Sequence, residues 1–204
     1  TSYFLQDTIS MDKLTLTLGY RSEEYDKVEN RWKDGVSGSR KVPDPKYVNK
    51  TSTGDYSTFG IGATYDMNEN LRLVAGFHQG MSPVFNGDAE EADNMELGFR
   101  YNKGTTALEV MYFSSDYANL VAECKNSNGG DCDPGDTFDG GEVDVSGLEV
   151  DASMVIEGDG VSFPIALTFT STDATFENSF DSDYFGVVAA GDDLPYICLL
   201  YTSP

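Results

Sequence analysis

The sequence predicts an all-β protein, an antiparallel up-and-down transmembrane β-barrel. Three observations predict this fold. Apolar and polar residues alternate with a period of two in successive segments, short and long connections alternate between those segments, and Gly, Thr and Ser dominate the less apolar positions. A period of two places successive side chains on opposite faces of a strand, so each segment has one apolar and one polar face.

The clearest strand is predicted over residues 14–21, where Leu14, Leu16, Leu18 and Tyr20 share one face. The same alternation predicts further strands at 58–65, 71–78, 95–102 and 162–170. Less regular alternation predicts strands at 2–9, 106–113, 143–155 and 185–190. About eight to nine strands are therefore expected.

The connections between these strands alternate in length. Short turns are predicted at 11–13, 67–70, 102–104 and 157–160, and long polar loops at 27–54, 82–93, 114–142 and 172–183. Outer-membrane barrels have this arrangement, with short periplasmic turns and long extracellular loops. An immunoglobulin-like sandwich has no such alternation.

The two faces differ in the way that a membrane barrel requires. Leu, Phe and Tyr crowd the apolar face, and Gly, Thr and Ser on the other face suit a wet lumen. Tyr20, Tyr65 and Tyr101 lie close to predicted turns or loops, where an aromatic girdle would meet the membrane interface. The apolar face is therefore expected to contact outer-membrane lipid.

Composition excludes several other classes of protein. The chain has 204 residues, with 35 acidic and 13 basic side chains and a net charge of −22. A nucleic-acid partner is not expected, because phosphate recognition needs clustered Lys and Arg. The sequence has no run approaching the roughly 18–20 apolar residues of a membrane-spanning helix. The aromatic content of 12% argues against a disordered chain.

Five segments resemble one family in its own order. Residues 76–83 resemble the family's "GxHxGFSPP" segment, 94–101 its "YELGLRY" strand, 113–120 its "FYNDYSNL" segment, 140–149 its "GGEVxVxGLE" segment and 191–196 its "GDELPY" turn. The family is the TonB-dependent outer-membrane receptors, and within it the chain is most similar to ferric dicitrate-type siderophore receptors.

The resemblance implies a 22-stranded barrel with an N-terminal plug domain and a TonB box. Residues 1–197 are then expected to be a segment of that barrel, seen as an open, curved sheet, with the plug domain outside the sequence. The implied function is TonB-dependent uptake of a ferric siderophore, here a ferric citrate-like chelate. The protein would be a multi-pass protein of a Gram-negative outer membrane, would use no cofactor and would not be an enzyme.

Residues 198–204 have a different origin in this interpretation. Their sequence, CLLYTSP, looks like the translation of a transposase-based sequencing adapter. We therefore expect this tail to be non-native and leave it out of the predicted fold. A natural apolar tail is the alternative.

Four lumen-facing side chains are candidates for ligand contact: Arg21, Arg72, His78 and Arg100. Guanidinium groups bind carboxylates through two parallel hydrogen bonds, which suits a carboxylate-rich ferric chelate. Arg side chains in such a lumen can equally hold the plug through ion pairs, so both roles stay open. His78 is the single histidine of the chain, which excludes a multi-histidine metal site.

The longest predicted loop contains Cys124 and Cys132. An oxidising cell exterior favours a disulfide between them, worth roughly 2–3 kcal/mol for so short a loop. Free thiols or a metal pair are the alternatives. Acidic residues between 131 and 144 break the EF-hand pattern, so no metal ligand is assigned, although a looser Ca²⁺ site and a solvated acidic loop both stay open.

Two other functions are carried as alternatives. The first is a complete small barrel with a structural or adhesive role, which requires the first and last strands to pair. The second is a secreted Ca²⁺-binding β-protein, which requires two packed sheets with a dry interior.

Overall fold

Hairpins with short turns build most of this protein. The structure is a computed structural model, and it describes residues 1–30, 32–34, 41–43, 49–83, 89–123, 137–182, 186–195, 197 and 200–203. Every element described is a β-strand. The part of the chain that is described contains no helix long and apolar enough to cross a bilayer.

Eight strands of ten or more residues carry the fold. They are β1 (Ser2–Met11), β2 (Leu14–Glu29), β5 (Lys50–Asp66), β6 (Leu71–Ser82), β7 (Glu90–Lys103), β8 (Thr106–Ala118), β11 (Val143–Gly158) and β12 (Val161–Phe176). The short strands are β3 (Trp32–Asp34), β4 (Lys41–Pro43), β9 (Val121–Glu123), β10 (Thr137–Asp139), β13 (Phe180–Ser182), β14 (Gly186–Val188) and β15 (Leu200–Ser203).

The eight long strands and the short β15 form a single antiparallel sheet in the order β1-β2-β5-β6-β7-β8-β11-β12-β15. Each long strand pairs with the long strand that follows it in the chain, which is the predicted up-and-down topology. The pairs β3–β4, β9–β10 and β13–β14 lie outside this sheet. The first two lie between long strands, in regions that the sequence predicted as long loops, and β13–β14 follows β12.

The predicted short turns are confirmed. Asp12, Gly104 and Gly160 lie in the turns of three hairpins and have φ angles of 47°, 58° and 75°. Glycine adopts this left-handed backbone without a steric penalty, and aspartate tolerates it better than most residues. These turns define one end of the sheet, and the longer connections leave from the other end.

Several predicted boundaries were wrong, since β2, β5, β7, β8 and β12 all extend into regions that were predicted as loops. The β2–β5 ladder continues to Glu29 and Lys50, inside the region predicted as loop, because backbone pairing extends past the apolar stretch that carried the pattern. The strand predicted at 185–190 is reduced to β14, which pairs with β13 and not with the main sheet. In the tail, β15 pairs with residues 168–171 of β12; its non-native origin stays a prediction.

The sheet is open, as predicted for a barrel segment. Within the described residues β1 and β15 lie at opposite ends of the strand order and do not pair with each other. A complete small barrel is therefore wrong for this chain, because closure would join the two ends. The secreted two-sheet alternative is also wrong, because the long strands form one sheet and do not stack as two.

The strand register puts the predicted apolar residues on one face. Leu16 lies opposite Ala63, which lies opposite Ala75, and that row continues through Leu97 to Tyr112. Many large side chains of this face are exposed; Leu97 is 58% and Phe163 is 56% accessible. An apolar surface of this extent on a water-facing sheet would be a binding or aggregation surface.

Candidate functional site

The polar face of the sheet carries the candidate residues. One row runs from Gly19 through Gly60, His78 and Asn94 to Ser115, each residue opposite the next on the neighbouring strand. These residues are small or neutral, as the predicted wet lumen requires. The glycines leave the backbone of this wall open to whatever fills the lumen.

His78 lies at the centre of this face, on β6. The ideal Cβ position of Gly60 is 3.3 Å from the His78 Cβ, so a side chain at Gly60 would press on the histidine. On the other side, Asn94 Nδ2 donates to the His78 carbonyl oxygen at 3.3 Å, and Ser115 Oγ donates to Asn94 Oδ1 at 2.7 Å. The backbone at His78 is therefore linked to the two strands that follow.

Two shallow grooves of the polar face meet at His78. The first is lined by Gln6, Arg21 and Thr58 in addition to the histidine. The second has a volume of about 340 Å³ and is lined by Glu96, Arg100, Glu109 and Glu149, among others. The structure therefore brings His78 together with Arg21 on one side and with Arg100 on the other.

Arg21 lies near the middle of β2, two residues beyond the row that contains His78. Its guanidinium is paired with Glu23, two residues further along the same strand. Tyr56 also hydrogen-bonds to the Glu23 carboxylate. The carboxylate is therefore shared between Arg21 and Tyr56 and offsets the charge of Arg21.

Arg72 and Arg100 lie near the short-turn end and directly face each other on β6 and β7. Each makes two hydrogen bonds to one carboxylate. Arg72 reaches Asp66 at 2.6 and 3.1 Å, and Arg100 reaches Glu109 at 2.9 and 3.0 Å. These bidentate pairs separate the two like charges and tie neighbouring parts of the wall together. Arg72 lines neither groove at His78.

The sequence missed the acidic members of the second groove. Glu109 and Glu149 face the lumen on β8 and β11, where the opposite face is also apolar and the polar face carries Met111 and Phe113. The alternation of apolar and polar residues is weak in such strands, so only the strand register shows which side chains lie on the polar face. The one hint in the sequence was Arg100, whose charge on this face calls for a carboxylate partner.

A small buried core lies at the long-loop end, and the sequence did not predict it. Val143, Phe176 and Val188 are 1%, 2% and 5% exposed. Val143 faces Tyr117 and Phe176 across the sheet, which places the core on the polar side. Phe180, Leu120, Val145 and Leu194 pack against it. We call the cluster of Val143, Phe176, Phe180, Val188 and Leu194 the rim core.

Backbone hydrogen bonds hold two loops to the rim core. Leu194 N–H donates to the Ala174 carbonyl and Gly191 N–H to that of Phe176, both at 2.8 Å, and Leu120 N–H donates to that of Gly141 at 3.0 Å. The first two bonds fasten the segment after β12, and the third fastens the segment between β8 and β11. Each of these two segments is therefore closed at its base by backbone hydrogen bonds beside the rim core.

Carboxylates collect on the apolar side of the same rim. Asp144 lies directly opposite Asp116, and Asp116 lies opposite Asp93. The nearby Asp116 charge raises the pKa of Glu177 above its ordinary value, with partial burial and the charges of Asp144 and Glu142 adding to the effect. These carboxylates lie beyond the apolar band, at the water-facing edge of the sheet.

Part of the predicted acidic loop lies outside the described residues. Cys124 and Cys132 both fall there, so their disulfide stays a prediction. Among the residues that are described, no group of three or more His, Cys, Asp or Glu side chains could hold a metal ion.

Comparisons with known proteins agree with this architecture. Residues 1–197 match the family model described as "TonB dependent receptor-like, beta-barrel". No curated protein sequence matches the chain.

Solved structures share the fold at low sequence identity. The ferric-catecholate import receptor Fiu from E. coli K12 is 18% identical over 98% of this chain and 30% of its own, with a TM-score of 0.66. The ferric yersiniabactin uptake receptor FyuA from Yersinia pestis is 16% identical over 94% of this chain and 28% of its own, with a TM-score of 0.67.

The FrpB iron transporter from Neisseria meningitidis is also similar, at 18% identity over 86% of this chain and 26% of its own, with a TM-score of 0.66. The chain therefore spans less than a third of the length of these three similar structures.

Proposed function

Because this chain belongs to the TonB-dependent receptor-like β-barrel family, we propose that it is part of a receptor that imports a ferric siderophore. The family consists of outer-membrane receptors and transporters, so the chain is an outer-membrane protein of a Gram-negative bacterium and not an enzyme. Its strands cross the membrane several times. The two-faced open sheet is the observation that carries the proposal.

The apolar face then contacts lipid and the polar face lines the lumen. The exposed Leu and Phe side chains that would be a liability in water are stable against hydrocarbon. The row from Gly19 to Ser115 faces water, and the paired Arg72 and Arg100 stiffen the wall. Neighbouring long strands pair over seven or more residues in every case, and such pairing satisfies the backbone polar groups that lie within the bilayer.

The proposed mechanism uses no covalent chemistry. The long loops above the rim core capture the chelate, and TonB acts on a plug domain so that the chelate can pass along the polar face. Iron as the cargo is supported by the similarity to Fiu, FyuA and FrpB, which are all iron or ferric-chelate transporters. A ferric citrate-like chelate is supported by the sequence resemblance, which within this family is greatest to ferric dicitrate-type receptors.

Of the four predicted ligand residues, we assign ligand contact to Arg21 and His78. They line one groove and lie farther from the short turns than Arg72 and Arg100 do, nearer the end where a chelate enters. Arg72 and Arg100 lie close to the short turns, and each already holds a carboxylate with both ends of its guanidinium. We therefore assign them to the wall.

Uptake of radiolabelled ferric citrate into iron-starved cells that carry the full-length receptor tests this proposal. Replacing Arg21 with Gln should raise the chelate concentration at half-maximal uptake about tenfold, the loss expected for one charged hydrogen bond. His78→Gln should act in the same direction. Arg72→Gln is the matched control and should leave that concentration unchanged.

The possible results distinguish an error in the class of chelate from an error in the proposed iron import. Uptake of a ferric catecholate but not of ferric citrate would contradict the chelate class and keep iron import. A receptor that takes up no ferric chelate while it is folded in the outer membrane would contradict the function itself.

A further inference from the structure

One carboxylate interrupts the lipid-facing surface. The strand register places Met11, Ile9, Asp7, Leu5 and Tyr3 of β1 on the apolar face, opposite Leu14, Leu16, Leu18, Tyr20 and Ser22 of β2. Asp7 therefore has apolar neighbours above and below it on its own strand, and Leu18 beside it. In a surface that contacts hydrocarbon, an ionisable residue marks an interaction that offsets its desolvation.

Asp7 lies deep in the band and not at its edge. It is four residues from Met11, the end of β1 at the short turn. At about 3.3 Å per residue and a tilt near 40°, this is about 10 Å into an apolar band about 25 Å tall. On three other strands, the first charged residue of the apolar face lies ten residues from the strand end at the short turn. These residues are Glu24 on β2, Asp93 on β7 and Asp116 on β8.

The carboxylate of Asp7 is turned toward the free edge of the sheet. Thr1 and Glu24 exchange both backbone hydrogen bonds, so the odd-numbered residues of β1 bond to β2 and the even-numbered residues direct their N–H groups to the other edge. The Thr8 N–H on that edge donates to Asp7 Oδ1 at 2.9 Å. The side chain therefore occupies the position where a further strand would bond.

A strand that pairs along this edge displaces the carboxylate from Thr8. Its backbone carbonyl takes the Thr8 N–H, as the ladder requires. Asp7 then needs another donor at a depth where water is scarce. A basic side chain opposite or diagonal to Asp7 is within reach, since such cross-strand neighbours lie about 5–8 Å apart.

We infer that Asp7 is an intramembrane pairing site, and that the strand bonded along the free edge of β1 places a Lys or Arg beside its carboxylate. The occupant is the strand that precedes Thr1 in the longer polypeptide. Two observations support this choice: the similar receptors are more than three times as long as this chain, and an up-and-down sheet places the preceding strand at that edge. The inference does not depend on which chelate is transported.

The codons upstream of Thr1 give the first test. The preceding strand should carry Lys or Arg opposite Asp7 or within two residues of that position. A preceding strand with neither residue there would overturn the inference.

Stability of the full-length receptor in detergent micelles gives the second test, with the thermal midpoint read from its heat-dependent electrophoretic mobility. Asp7→Leu should lower the midpoint by roughly 2–4 °C, because it leaves a basic group unpaired in the apolar band. Asp7→Asn, which keeps the shape, should lower it in the same direction. Ile9→Leu is the matched control on the same face and should have no effect.

The opposite sign would overturn the inference. A carboxylate that simply faces lipid is unfavourable there, so Asp7→Leu would then raise the midpoint or leave it unchanged. The same result is expected if a separate membrane protein covers Asp7 in the cell, because that protein is absent from the purified receptor. If Asp7→Leu does not fold, Asp7→Asn should still lower the midpoint, and exchanging the charges between Asp7 and the upstream basic residue should keep it at the wild-type value. An unchanged midpoint in Asp7→Asn, or an exchange that lowers the midpoint as much as Asp7→Asn does, overturns the pairing.

Discussion

The rim core makes a sharp prediction about the loops of this receptor. Phe176 is 2% exposed and packs between Val143 and Val188, with the Phe180 ring centroid 5.5 Å from its own. Truncation of a buried Phe to Ala costs about 3–5 kcal/mol. Since the rim core is small and local, we expect Phe176→Ala to open the rim while the barrel strands stay paired.

The magnitude follows from the bonds that the rim core protects. The N–H groups of Gly191 and Leu194 are bonded to carbonyls on β12, so their hydrogen exchange reports rim opening. A loss of about 3 kcal/mol in the local opening free energy raises their exchange rates by about 100-fold. Hydrogen–deuterium exchange with peptide mass spectrometry, on the full-length receptor in micelles, measures this.

The control is a phenylalanine on the other face. Phe163 is 56% exposed on the lipid side, so Phe163→Ala should leave exchange at Gly191 and Leu194 unchanged. If Phe176→Ala changes their exchange less than about threefold, the rim core does not hold the loop bases, and the reasoning from burial fails.

Three further predictions follow from single contacts. A Cβ at Gly147 would lie 2.3 Å from the Ser171 carbonyl oxygen, whereas one at Gly76 would meet nothing closer than 4.0 Å. Gly147→Ala should therefore destabilise the barrel by about 1–3 kcal/mol, and Gly76→Ala should not. Equal thermal midpoints for the two variants would contradict the close approach of the strands at Gly147. The raised pKa of Glu177 means that its negative charge destabilises the folded rim above that pKa, and that this penalty disappears as pH falls below the ordinary value. Because the group is well exposed, Glu177→Gln should stabilise the rim by less than about 0.5 kcal/mol at pH 7. The gain should be lost near pH 4 or in high salt, and a gain that persists at pH 4 would refute repulsion as the cause. The Arg100–Glu109 pair is 47% and 37% exposed, so Glu109→Gln should lower stability in a urea titration by about 1 kcal/mol or less, and a loss of 3 kcal/mol or more would mean that this part of the wall is dry.

The alternation of side chains was readable from the sequence, because it depends on adjacent residues. Leu14, Leu16 and Leu18 share a face in any extended strand, and the register confirms that they align with the apolar residues of β5. The short turns were readable for the same reason. The prediction failed at 185–190, where Val188 packs in the rim core and the short strand β14 pairs with β13 and not with the sheet.

The partners of the charged residues were not readable from the sequence. Arg100 and Glu109 are nine positions apart, and the hairpin register brings them together. The same holds for His78, whose two grooves are built from strands on both sides of it. A pattern of period two says which face a residue occupies, and it does not say which residue on the next strand lies beside it.

The sequence by itself determined that this chain is a set of antiparallel strands with one face for lipid and one for water, because that property is repeated every two residues. The tertiary structure decided that Val143, Phe176 and Val188 meet in the rim core, that Arg72 and Arg100 are held by carboxylates, and that Asp7 turns to a free edge. Each of these depends on register and on contacts between segments far apart in the chain, where the pairing of backbone groups, and not local propensity, sets which side chains meet.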